Sequence, residues 1–139
     1  MKIVLISCAN KKAANNAAAK ELYISDLFKK SWVYAQKIKP DRIYILSAKH
    51  GLLHPDKIIA PYNVTLKNMP SVERKQWAAK VLAQMSKSGL DLKNDDFIIL
   101  AGTPYYKDII GPGKIEKYQI PMEGLKIGCK KSYLKQRID

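Results

Sequence analysis

Three short apolar runs, each ending abruptly in small or polar residues, set the pattern of this chain. Ile3 to Ile6 leads into Ser7-Cys8-Ala9-Asn10-Lys11-Lys12, and Ile43 to Leu46 leads into Ser47-Ala48-Lys49-His50-Gly51. Asp96 to Gly102 (DFIILAG) empties into Thr103-Pro104-Tyr105-Tyr106. Apolar runs without alternation indicate strands covered on both faces, as in a parallel sheet. Helical periods separate them. From Ser25 onward Leu27, Phe28, Trp32, Ala35 and Ile38 recur on one face; Ser25 can cap this helix, Asp26 suits its positive end and Pro40 terminates it. A second helix starting near Ser71 places Trp77, Ala78, Val81, Leu82 and Met85 on one face, with Gly89 just past its end. Residues 10 to 20 are small and polar and read as a flexible loop. Ser47 to Asn68 reads as one long loop of about 20 residues, a length that is more often functional than accidental. Toward the end of the sequence KIEKYQIP reads as an edge strand and Gly128 to Ile138 as a short basic helix.

Strands alternating with helices predict an α/β fold: a three-layer αβα arrangement around a small, mainly parallel sheet, Rossmann-like in layout, as one domain over residues 1–139. Ligands bind such sheets outside the carboxyl ends of the strands. The three polar termini are therefore expected to meet at one site. Its members would be Ser7, Cys8 and Lys11 after the first strand, Ser47 to Gly51 after the second, and Gly102 to Tyr105 after the third. Small residues there let backbone amides approach a ligand, while Tyr62, Tyr105 or Tyr106 would stack on a base or close the pocket.

Composition adds a partner class. A formal charge of +13 and a pI near 9.7 favour a polyanion such as nucleic acid or nucleotide phosphate, against the alternative of a solvated lysine-rich surface. Only Arg42, Arg74 and Arg137 among the 25 basic residues are arginine, so bidentate reading of base edges is disfavoured. Lys12 and the local excess around Lys130, Lys131 and Lys135 are the candidate nucleic-acid contacts. Cys8 and Cys129, expected to be reduced thiols, are too few for a disulfide framework or a four-cysteine zinc site. No apolar run approaches the roughly 18 residues of a membrane span, and Ile3 to Ile6 is too short for a signal-peptide core, so the expected location is cytoplasmic.

His50 is the one obvious group in the expected pocket that exchanges a proton near neutral pH; the competing reading is a loop histidine satisfied by backbone bonds. His50, His54 and Asp56 resemble a metal set on paper, but Gly51 and Pro55 spoil helical presentation, and neither metal nor cofactor is expected. Cys8 would be a nucleophile if His50 activated it, but cysteine is also a frequent core residue and that reading is favoured. Lys11 and Lys12 either attract a phosphate or are simply solvated. Walker-type, dinucleotide-binding and GxSxG motifs are absent, which disfavours ATPase, Rossmann dehydrogenase and α/β-hydrolase assignments. Tyr23, Phe28, Trp32 and Trp77 read as core and helix-packing groups.

As a set, SCANKK (Ser7 to Lys12), ELYISDLF (Glu21 to Phe28), LSAKHGLLHP (Leu46 to Pro55), PYNVTL (Pro61 to Leu66), Trp77 and LAGTPYY (Leu100 to Tyr106) resemble a family of small uncharacterised bacterial, archaeal and phage proteins. More distantly, LSAKHGLLHP followed by PYN is similar to the glycosylase-like domain of archaeosine synthase and to the peroxide-stress YaaA proteins. That resemblance implies a uracil-DNA-glycosylase-like or related α/β fold acting near nucleobases. Family members often carry Asp where this chain has Asn63, and an asparagine can orient a water or a base edge but cannot take its proton. The expected function is a nucleobase- or nucleotide-recognising enzyme acting on an N-glycosidic bond. In it Ser7, Ser47 and Gly102 line the pocket, Lys11 holds phosphate, Tyr62 and Asn63 address base or water, and His50 handles a proton. Two rivals are a non-catalytic basic nucleic-acid-binding module and a small-ligand nucleotide sensor.

Overall fold

A computed structural model describes residues 1–138. The strands are β1 (Lys2–Ser7), β2 (Ala17–Ala18), β3 (Arg42–Ser47), β4 (Gly51–Leu53), β5 (Ile58–Ile59), β6 (Asp96–Leu100) and β7 (Tyr118–Gln119). The helices are α1 (Ala19–Leu22), α2 (Asp26–Ile38), α3 (Ser71–Lys87), α4 (Thr103–Tyr106) and α5 (Ile127–Ile138). The main sheet runs β4-β3-β1-β6-β7, with β1 central. β3, β6 and β7 follow the direction of β1, whereas β4 pairs antiparallel with β3.

β1 shows why its apolar run does not alternate. Ile3 and Leu5 join one core with Trp77, Ala78, Val81 and Met85 of α3. Val4 and Ile6 join the other with Phe28 and Ala35 of α2 and Leu134 of α5. Each face of the sheet is thus sealed by helices, giving a mixed α/β fold in three layers. α2 begins where the sequence marks it: Ser25 Oγ accepts the Phe28 N–H at 3.1 Å, and Lys39 leaves the helix in the left-handed region just before Pro40.

Three expectations need correction. Residues 10 to 20 are not a flexible loop: β2 and α1 lie there, and Ala19 and Leu22 are fully buried. Single apolar positions in an alanine-rich stretch carry too little period to reveal a four-residue helix. The loop from Ser47 to Asn68 contains β4, which pairs back on β3 in the register Ser47 to Gly51, and β5, which pairs antiparallel with β2. The β3–β4 hairpin adds an antiparallel strand to a sheet that is mainly parallel, as expected. The short α4 after β6 was also hidden, having Pro104 and two tyrosines in place of an apolar period. The edge strand and the basic terminal helix are both present, as β7 and α5.

Candidate functional site

The carboxyl ends of β1, β3 and β6 meet. The Cys8 N–H donates to Leu46 O at 2.9 Å, carrying the β1–β3 pairing one residue past the strand. β3 delivers Ser47, which is completely buried. Its carbonyl accepts the Trp77 indole N–H at 2.8 Å, and its Oγ accepts the His50 N–H at 3.0 Å, closing the turn into β4. Gln84 holds the far side of that turn, accepting from Leu52 N–H at 2.8 Å and donating to His50 O at 3.1 Å. Trp77 and Gln84 stand seven residues apart, so one face of α3 grips both ends of the turn. After β6, Gly102 caps α4, and this single turn brings the Tyr105 hydroxyl to 3.3 Å from Cys8 Sγ with its ring edge-on to Trp77.

Tyr62 joins the cluster from the loop after β5. Its hydroxyl is hydrogen-bonded to Tyr23 OH (2.6 Å) and Ser47 Oγ (2.7 Å), and its ring meets His50 edge-on at 5.5 Å between centroids. Lys12 Nζ lies 4.4 Å from the centre of the Tyr62 ring and Lys49 Nζ lies 6.0 Å from it. A narrow cleft opens beside this cluster, lined by Ser7, Cys8, Ser25, Phe28, Gly102 and Lys130 among others. Its free volume of about 50 Å³ suits a few water-sized groups and not a planar base. A ring-bearing ligand would therefore lie outside it, toward Tyr62.

Electrostatics assign limits to each group. Burial pushes the Tyr23 hydroxyl up to about 12, and burial likewise raises Tyr62 and Tyr105, so all three are neutral hydrogen-bonding phenols. Burial, followed by the charges of Lys49, Lys57 and Lys80, holds His50 below the usual imidazole range, which leaves it neutral at pH 7. Its Nε2 is buried without a hydrogen-bond partner. Burial also lowers Lys12. No carboxylate among the described residues is hydrogen-bonded to Ser47, Tyr62, Tyr23, Cys8, Tyr105 or His50. The cluster can stack on a ring, exchange hydrogen bonds, attract an anion and move a proton at His50. Two-carboxylate chemistry is outside its means.

The depressed His50 has a measurable consequence for stability. As pH falls below about 6.5 the unfolded chain takes up the imidazole proton before the folded one does, so stability declines from there down to the folded-state value and then levels off. Urea midpoints between pH 8 and pH 5.5 should fall on acidification in the native protein and stay flatter in His50→Gln. A histidine NMR titration in which His50 titrates at or above the free imidazole value of about 6.5 would contradict this.

Several expected residues lie elsewhere. Asn63 is exposed, with no side-chain hydrogen bond among the described residues, and Lys11 is exposed as well. The Lys12–Tyr23 bridge makes the backbone extended here, so neighbouring side chains point to opposite sides; Lys12, not Lys11, faces Tyr62. Lys130 reaches the cleft, Lys131 is close enough to Asp26 to affect its charge, and Lys135 is exposed on α5. Cys8 makes its side-chain bond with Tyr105 rather than with His50. His54 accepts the Asp56 N–H and His50 faces Tyr62, so these residues do not converge; no cluster of three His, Cys, Asp or Glu occurs among the described residues. No helix there is long and apolar enough to cross a membrane. Sequence reasoning placed Lys49 at the site only as part of Ser47 to Gly51, without a role of its own, and it missed Gln84, which no local signal marks. It also gave Tyr23 and Trp77 a packing role alone, although both are core residues whose polar atoms reach the site.

Residues 3–136 match a family of unknown function, DUF6884. The chain belongs to that family. No curated protein and no solved structure matches it. For DUF6884 the functional reading of this chain therefore rests on the cluster itself. In this DUF6884 member three of the segments quoted from the sequence, SCANKK, LSAKHG and AGTPYY, contribute to one edge of the sheet.

Proposed function

We propose that this protein is an enzyme that recognises a nucleobase or nucleotide at the carboxyl edge of the sheet and acts on its N-glycosidic bond. The observation that carries the reading is the Tyr62 assembly. A ring anchored by two hydroxyl bonds stands beside a neutral imidazole, with lysine ammonium groups over its face. An aromatic floor suits a planar base, the cations suit its phosphate, and neutral His50 can accept or return a proton near neutral pH. The resemblance of LSAKHGLLHP and PYN to glycosylase-like and YaaA-like domains points the same way.

The test is release of free base, followed by chromatography, from nucleosides, nucleotides, single-stranded and duplex DNA, and RNA. His50→Ala should lower turnover by about 100-fold, in the range general acid–base groups supply. Full turnover in that variant on an identified substrate would remove His50 from the mechanism. If no base is released but polymers bind with steep salt dependence, lost in a Lys130→Ala, Lys131→Ala, Lys135→Ala variant, the protein is a nucleic-acid-binding module instead.

A further inference from the structure

We infer that a phosphate group docks at Lys12 and Lys49 beside the Tyr62 ring, so that the preferred ligand is a phosphorylated nucleotide rather than a free base or nucleoside. This rests on the nucleotide reading for its organic part; the anion site stands on separate observations.

Both lysines start from fixed backbone. Lys12 lies in a bridge with Tyr23, and Lys49 sits within the Ser47–His50 turn that Trp77 and Gln84 secure. The floor beneath them is fixed too, because the Tyr62 hydroxyl is tied inward to Tyr23 and Ser47. Neither ammonium has a carboxylate partner among the described residues; the Lys and Arg side-chain ion pairs there use Lys20, Lys30 and Arg74. What holds them is weak: Lys12 donates to Asn10 O at 3.3 Å, and both lie near an aromatic ring. A phosphate would replace that with charge-assisted hydrogen bonds, which are about twice as strong as neutral ones. Lys12 is partly desolvated, so its charge gains more from an anion than a fully hydrated lysine would. Lys57 and Lys80 add to the positive field at His50.

Calorimetric titration at fixed ionic strength with inorganic phosphate, the four common ribonucleosides and their 5′-monophosphates tests this, using native protein, Lys12→Gln, Lys49→Gln, the double variant and Lys87→Gln as a charge control. At least one monophosphate should bind about tenfold or more tightly than its nucleoside. The double variant should abolish that preference while Lys87→Gln retains it. Phosphate binding that disappears in the double variant would support the anion site even if no nucleoside binds, an outcome that would count against the nucleobase reading alone. Equal affinity for nucleoside and monophosphate, a preference that survives the double variant, or no binding of phosphate or any monophosphate would overturn the inference.

Discussion

Replacing Trp77 with alanine is expected to lower the unfolding free energy by about 3–5 kcal/mol, the usual range for deleting a buried large aromatic side chain. Trp77 lies in the core formed by α3 and one face of β1, and its ring stands edge-on to Tyr105 at 5.8 Å between centroids. Its Nε1 donates to the carbonyl of fully buried Ser47 at 2.8 Å. Alanine would leave a void between helix and sheet and an acceptor without its partner. Trp77→Phe separates the two effects. It keeps much of the ring volume but loses the hydrogen bond, so about 1–3 kcal/mol should remain as its cost. Denaturation monitored by circular dichroism measures both. If Trp77→Phe were as stable as the native protein, the indole bond would not secure Ser47. The position of Tyr62 and His50 would then have to come from the rest of the turn.

The layers were legible in the sequence because each is written in a local period. Ile3 to Ile6 is apolar at every position and its residues fill two cores; Phe28 with Ala35, and Trp77 with Val81 and Met85, fall at helical spacing and face the sheet. The convergence of Ser7, Ser47 and Gly102 followed from the rule that parallel strands end together. What stayed hidden depends on contacts with no local period. β4 follows from a reversal at Lys49 and His50 that ordinary residues accomplish, with Gly51 alone as a mark. Gln84 meets the turn from more than 30 residues away in sequence, as does Tyr23 when it meets Tyr62. The choice between Lys11 and Lys12 was a question of strand phase, settled only by the bridge to Tyr23. Asn63 stands beside Tyr62 in sequence, yet Tyr62 is bonded into the cluster and Asn63 is exposed, a difference that no local pattern marks.

Gly51→Ala should cost about 2–5 kcal/mol, more than the same change at Gly89. At φ +74° an alanine pays roughly 1–2 kcal/mol for the conformation itself. That part is shared with Gly89, where φ is +83° and an added methyl would meet nothing within 4 Å. At Gly51 the methyl would also fall 2.2 Å from Gln84 Oε1, so the amide must move. Moving it breaks the bonds to Leu52 N–H and His50 O, each with a net contribution of about 0.5–1.5 kcal/mol. A double-mutant cycle isolates this second part. In a Gln84→Ala background the clash and the two bonds are already gone, so Gly51→Ala should then cost about as much as Gly89→Ala. An unchanged cost in that background would show the penalty to be backbone strain alone. The coupled result would instead identify Gln84 as the side chain through which α3 fixes the turn carrying Lys49 and His50, and it would explain why a glycine is needed there.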